Sequence, residues 1–322
     1  MKKLIATLVI AASAAAAPAQ DAQKPFVVQE SGKGFSRLQD AVEAIGGGAG
    51  TIMIAPGHYR QCAVQQAGQI AYVAAEPGTV VFDGVACQGK AALVLAGQGA
   101  IVNGLTFANI RVSDGNGSGI RLQQGNLHVM ESLFRDSQSG ILSHDDPGAT
   151  IVIERSTFSG LGYCGDDCAH SIYIGDYGRL IVNSTRFERG TGGHYVKSRG
   201  ARIDVSESSF DDSDGHSSNY MIDLPNGATG RIGGNVFVQG SDKENYSAMI
   251  VVAAEGAEHS SNGLAVAGNE ATLAPGAKPT VFVADLSGDR LAIGENRLGT
   301  EIALRDFVRE AHERGLRVIA DL

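Results

Sequence analysis

The sequence predicts an all-β, single-domain parallel β-helix, and three observations lead there. A Phe closes a strand-like phrase about once per coil: Phe107, Phe134, Phe158, Phe187, Phe210 and Phe237 end NGLTF, MESLF, IERSTF, VNSTRF, VSESSF and GGNVF, at spacings of 27, 24, 29, 23 and 27. Each repeat joins two short alternating runs through Gly, Ser, Asn and Asp, the pattern of strands and turns rather than helix pairs. One coil cannot bury its own apolar face, so Phe stacked on the Phe of the next coil is what fills a solenoid interior. The 43 Gly and the absence of Trp suit tight coils with small stacked residues.

Taken in order, residues 1–19 carry Lys2 and Lys3, an apolar run, and then Ala17-Pro18-Ala19. That is the pattern of a secretory signal peptide, too short for a membrane anchor. The mature protein is therefore expected to be exported, to the periplasm or beyond. Residues 20–34 form a lead-in, and the β-helix is expected over 35–300. It opens with a helix at 35–45 that places Leu38, Ala41, Val42 and Ile45 on one face and stops at Gly46-Gly47-Gly48. A solenoid must protect its open edge, so this helix is assigned as a cap. The first coils follow in GTIMIAPGHYR and IAYVAAEPGTVVFDG. Residues 301–322 hold a charged amphipathic helix, Glu301 to Arg314, read as a C-terminal cap or lid.

The formal charge is −9, and −11 without Lys2 and Lys3. Phosphate binding depends on Lys and Arg, so a nucleic-acid partner is not expected. No later stretch is long and apolar enough to cross a bilayer, which leaves no membrane insertion and an expected monomer. In an oxidising compartment the four Cys should pair as Cys62–Cys87, about one coil apart, and Cys164–Cys168, closing a small loop. No set of His and Cys spacings completes a zinc site.

Leu38-Gln39-Asp40-Ala41-Val42, followed by Gly50-Thr51-Ile52-Met53-Ile54-Ala55-Pro56-Gly57-His58-Tyr59, resembles the opening of pectate-lyase-like right-handed β-helix proteins, where a cap helix leads into a strand and a Pro-Gly-x-Tyr turn. The resemblance spans roughly residues 27 to 300 and implies a right-handed coil. It implies no single activity, because lyases, hydrolases, epimerases, esterases and binding proteins share the fold. The central phrases HSIYIGDYGRL, NSTRF, GHYVKSRG and IDLPNG also resemble exported bacterial right-handed β-helix domain proteins of unsettled function.

Function must come from side chains that point outward. Aligning GIRLQ (119–123), GILSH (140–144), SIYIG (171–175), YVKSR (195–199) and MIDLP (221–225) puts Ile120, Ile141, Ile172, Val196 and Ile222 on one inward column. Alternation along a strand then turns Arg121, Leu142, Tyr173, Lys197 and Asp223 outward, and beyond them Gln123, His144, Gly175, Arg199 and Pro225. Neighbouring coils lie about 4.8 Å apart, so Tyr173, Lys197, Arg199 and Asp223 should share one exposed stripe. His170 and His194 share the parity of the inward column and are expected to stack at the mouth of a turn, with a catalytic or metal role as the alternative.

The superfamily resemblance implies β-elimination on a uronic-acid polysaccharide as the leading chemistry. In that reading Lys197 is the base, its ammonium disfavoured by the neighbouring guanidinium, and Arg199 clamps the substrate carboxylate. Tyr173 is the proton donor, or the base, and His194 joins these as a catalytic candidate. Arg121, His144, His170, Asp223 and Asn226 are the substrate-binding candidates. The Lys197 and Arg199 pair is similar to that of Ca-dependent alginate-type lyases. No cofactor is required outright, although Asp223 could hold Ca2+ with neighbouring oxygens. The alternatives are a glycoside hydrolase, which needs two carboxyls about 6.5–9.5 Å apart for inversion, a uronate epimerase, for which His144-Asp145-Asp146-Pro147 has the right residue types in another order, and an esterase, for which no GxSxG-like elbow is present. A non-catalytic polysaccharide-binding or cell-surface β-helix is the alternative outside enzymes. A groove would favour the enzyme, with GYCGDDCAH (162–170) and DDSDGHSSN (211–219) as its candidate walls. The expected partner is an acidic polysaccharide.

Overall fold

The computed structural model describes residues 24–299 apart from Asp166. The expected signal peptide and C-terminal helix lie outside the described residues. Three sheets of twelve, ten and nine strands wrap one core, and successive coils add one parallel strand to each. In one central coil the chain runs through Tyr177–Asn183, Arg186–Glu188 and Val196–Ser198 before the next begins at Arg202–Ser206.

The Phe column is continuous. Phe107 pairs in register with Phe134, Phe134 with Phe158, Phe158 with Phe187, Phe187 with Phe210, and Phe210 with Phe237. The rings stack at centroid distances of 5.0, 4.7, 5.1, 4.8 and 4.8 Å, and all are fully buried. Each such burial contributes about 1.5–3 kcal/mol, with roughly 0.5–1.5 kcal/mol more from ring contact. The column also reaches further toward the N-terminus than the repeating phrases indicate, through Phe82, Tyr59 and Phe26.

A second repeat, two residues before each Phe from Phe134 onward, is polar. The Ser132 amide donates to Ser156 Oγ, the Thr185 amide to Ser208 Oγ, the Ser208 amide to Asn235 Oδ1 and the Asn235 amide to Asn269 Oδ1. These buried groups satisfy one another from coil to coil, as buried polar groups must. The residue just before each of them turns the corner between sheets with positive φ: Glu131 at 48°, Arg155 at 45°, Ser184 at 49° and Glu207 at 49°. Gly234 takes that place at 72°, where a Cβ would meet Glu207 Oε1 at 2.6 Å.

The N-terminal helix runs over Leu38–Ile45 and buries Leu38, Ala41 and Val42, with Gly46 (φ 61°) ending it. Phe35 is not part of it. The strand Lys33–Phe35 pairs antiparallel with Phe26–Val28, which occupies Phe35 in the lead-in hairpin. Gln39 Oε1 accepts from the Val64 amide and Gln39 Nε2 donates to the Val64 carbonyl, on the first strand of the nine-stranded sheet. Both expected disulfides are present, Cys62–Cys87 and Cys164–Cys168. No helix among the described residues is long and apolar enough to cross a membrane.

Candidate functional site

The nine-stranded sheet carries the outward column in the expected register. Arg121 pairs with Leu142, Leu142 with Tyr173, Tyr173 with Lys197, and Lys197 with Asp223. The inward partners Ile120, Ile141, Ile172, Val196 and Ile222 are fully buried, so the strands have no freedom to turn these side chains over. A cleft of about 640 Å³ opens over the column and is lined by Arg121, Leu142, His170, Tyr173, Lys197 and Arg199. Asp167 and Cys168 from the 162–170 segment wall it, as that segment was expected to do.

Within the cleft a network joins residues from four coils. Lys197 Nζ donates to Asp223 Oδ2 at 2.9 Å and to Glu255 Oε1 at 2.6 Å. Arg199 donates through Nε to the Tyr173 hydroxyl at 2.9 Å, through Nη1 to Asn226 Oδ1 at 2.6 Å and through Nη2 to Glu255 Oε2 at 2.5 Å. Asn226 in turn donates to Glu258 at 2.7 Å. The Lys197 ammonium lies 5.9 Å from the Tyr173 ring centroid.

The electrostatics follow from these contacts. Burial works against the Lys197 ammonium, but Asp223 and Glu255 outweigh it and hold the lysine above its ordinary value. The expectation that Arg199 would disfavour the ammonium is therefore corrected, because two carboxylates stand closer to Lys197 than sequence order suggested. Burial raises Asp223 and Lys197 only partly opposes it; Oδ1 of that carboxylate has no partner. Glu255 is held below its ordinary value, because hydrogen bonds from Lys197 and Arg199 overcome the effect of burial.

The two histidines stack at 4.7 Å, and Tyr220 stacks on His194 at 5.2 Å. His170 Nδ1 accepts from the His194 amide and His194 Nδ1 accepts from the Tyr220 amide, so each neutral ring carries its proton on Nε2. His194 Nε2 lies 3.3 Å from Asp223 Oδ2, behind the cleft rather than in its lining. Burial, then the charge of Lys197, pushes His170 down to about 3; burial also holds His194 well below its usual range.

Several other candidates end up elsewhere. His144 is exposed and its Nδ1 accepts the Asp145 amide, which ties it to its own turn and away from the cleft. Asp145 and Asp146 accept the Asp176 and Gly125 amides, so both work as turn caps. Asn226 is buried and uses each end of its amide once within the network, toward Arg199 and Glu258. The 211–219 segment is not a simple polar wall, because Asp212 and Ser218 are buried. Residues not singled out from sequence include Glu255, Glu258, Lys90 and Asp114, the last two lining the cleft.

A Ca2+ ion does not fit Asp223, because Lys197 and His194 stand at Oδ2, Oδ1 is shielded from solvent, and among the described residues no group with metal-like spacing includes this carboxylate. Among the described residues the grouping with metal-like spacing is Cys164, Cys168 and Glu244, whose two sulfurs are joined as a disulfide.

Comparison with known proteins agrees with the coil geometry. Residues 91–271 match the family described as right handed beta helix region, and the chain belongs to that family. No curated protein matches the sequence. Among solved structures, ORF18 of Geobacillus virus E2 is similar at 12% identity and a TM-score of 0.47, over 81% of this chain and 57% of that one. A pectin methylesterase from Aspergillus niger is similar at 12% identity and a TM-score of 0.37, over 84% and 88%. The PL6 family alginate lyase AlyGC is similar at 14% identity and a TM-score of 0.39, over 79% and 40%. The chain thus spans little more than half of the first of these and less than half of the last, and none of their activities is carried over.

Proposed function

We propose that this is an exported, carbohydrate-active β-helix protein whose cleft performs β-elimination on a uronic-acid polysaccharide, with Tyr173 as the proton-transfer group. One observation carries the reading: the Tyr173 hydroxyl lines the cleft and accepts a charge-assisted hydrogen bond from Arg199 Nε at 2.9 Å, with Lys197 beside the ring. Arg199 donates to the phenol oxygen, where charge develops in the reaction, and the Lys197 ammonium stands over the ring. As a phenolate, that oxygen takes the C5 proton of the uronate. The released electron pair forms the C4–C5 double bond, the C4–O bond breaks, and Tyr173 returns the proton to the leaving oxygen. Lys197 stays an ammonium throughout and acts by its charge, Arg199 positions Tyr173, and His194 with Asp223 positions Lys197. Export from a 1–19 signal peptide belongs to the same reading, with a lead-in over 20–34, a single solenoid over 35–300, a terminal helix over 301–322 and a monomeric state. Two disulfides support the oxidising compartment.

A second reading, a polysaccharide-binding platform, is favoured by the neutralisation of Lys197 and Arg199 by Asp223 and Glu255. Ultraviolet absorbance separates the two, because elimination leaves a conjugated double bond. Purified protein is incubated with alginate, polygalacturonate, glucuronan and hyaluronan. Rising absorbance with one polymer is the expected result; a flat trace with measurable binding selects the platform.

A further inference from the structure

Resting on the reading of this cleft as a carbohydrate site, we propose that Arg121, seconded by Lys90, anchors a carboxylate of an acidic oligosaccharide, the task that sequence order suggests for Arg199. Arg199 is already committed: each of its three nitrogens donates once, to Tyr173, Asn226 and Glu255. Arg121 is the opposite case. Its guanidinium is half-buried, its Nε is shielded from solvent without an acceptor, and among the described residues no carboxylate forms an ion pair with it. Asp114 acts on it only at longer range, and burial depresses its charged form. A half-buried, unanswered guanidinium facing a cleft is costly to the fold and complementary to a carboxylate, which its planar fork can grip through two hydrogen bonds.

The charge distribution agrees. Of the cations lining the cleft, Lys197 and Arg199 are answered by Asp223 and Glu255, whereas Lys90 and Arg121 face Asp114 and Asp167 without an ion pair among the described residues. The place of Arg121 in the column also suits a sugar. Leu142 separates it from Tyr173, so two strand steps, roughly 10 Å, lie between the two backbones, with an apolar side chain as the floor between. A pyranose ring can rest on Leu142 with its acidic group toward Arg121 and its reacting carbon toward Tyr173.

The test is calorimetric titration of the full chain with trigalacturonate and trimannuronate, with galactotriose as the neutral control. At least one acidic trimer should bind about tenfold or more tightly than the neutral one. Arg121→Gln should lose that advantage while leaving the neutral trimer unaffected, and Arg121→Lys should recover part of it. The melting temperature of Arg121→Gln should stay within a few degrees of wild type, because among the described residues no hydrogen bond or ion pair of the guanidinium is removed. An Arg121→Gln affinity within twofold of the wild-type protein for the acidic trimer would overturn the proposal, as would a wild-type protein that binds neither acidic trimer better than galactotriose. The elimination reading fails separately. A flat absorbance trace with Arg121-dependent binding removes elimination and leaves the anchor, whereas undiminished elimination by Arg121→Gln does the reverse.

Discussion

Two buried Lys–Asp pairs lie in neighbouring coils of the same solenoid, and they are built differently. Lys243 and Asp212 have fully buried side chains, 3.1 Å apart. Asp212 Oδ1 accepts from the Tyr195 hydroxyl at 2.6 Å and from Ser218 Oγ at 2.7 Å, and Oδ2 also accepts the Gly240 amide. Lys243 donates to Asp212, Ser218 and the Asn219 carbonyl. Every polar atom is answered, and burial outweighs Asp212 in holding Lys243 below its usual value. Lys197 and Asp223 instead leave one carboxylate oxygen without a partner, share the lysine with a half-exposed Glu255, and border a cleft. A closed network holds coils together. An incompletely closed one beside open space has chemistry left to do.

Breaking the closed pair should have the largest effect. Lys243→Ala strands a buried carboxylate and should cost about 3–5 kcal/mol in denaturant unfolding, the usual penalty for removing one partner of a buried pair. Whatever folded protein remains should bind acidic oligosaccharide as before. Lys197→Ala should reverse that balance. Glu255 is partly solvated and the cleft lets water reach the gap, so a loss of about 1–2 kcal/mol is expected. Elimination, followed by absorbance, should drop at least about a hundredfold. Equal stability losses in the two variants would erase the distinction.

Acid should sharpen it. His170 and His194 are held below their ordinary value, so the unfolded chain takes up protons that the folded chain refuses. Stability should therefore be complete above about pH 6.5 and fall as pH drops toward about 3, where His170 titrates, by up to about 1.4 kcal/mol per pH unit for each ring. Glu255, lowered in the fold, adds its own loss only below about pH 4.3. Melting curves at pH 7, 6 and 5 read this slope, and His170→Asn, which keeps an acceptor for the His194 amide, should remove about half of it. A flat profile over that range would mean the rings are not buried as neutral species.

The smallest change concerns Glu255 alone. Its half-exposed bonds to Lys197 and Arg199 contribute about 0–1 kcal/mol. Glu255→Gln should thus barely move the melting temperature, while removing one negative charge from the cleft tightens acidic trimers a few-fold. Weaker binding would show that Glu255 itself contacts the sugar.

Where the sequence was readable, periodicity made it so. A two-residue alternation fixes which side of a strand faces in, so the Phe column and the order Arg121, Leu142, Tyr173, Lys197, Asp223 could be read without coordinates. Cys62 and Cys87 fell one coil apart for the same reason. Glu255 was out of reach because it lies 58 residues beyond Lys197, in a turn whose length follows no repeat. That residue adds to Asp223 in reversing the behaviour expected of Lys197, and it takes one nitrogen of Arg199. Asp212 was hidden differently: a run of Asp and Ser looks like a solvated turn, and only tertiary contact with Lys243 and Tyr195 reveals that it is buried.

The decisive measurement is the elimination rate of Tyr173→Phe beside the wild-type protein, on whichever polymer gives rising absorbance, with melting temperatures taken on the same samples. Loss of the hydroxyl removes the proton-transfer atom and one acceptor of Arg199, while the ring still packs against His170. A melting temperature within a few degrees of wild type, with a rate reduced at least about a hundredfold, is the predicted result. A rate within twofold of wild type would contradict the assignment and move the reaction away from Tyr173.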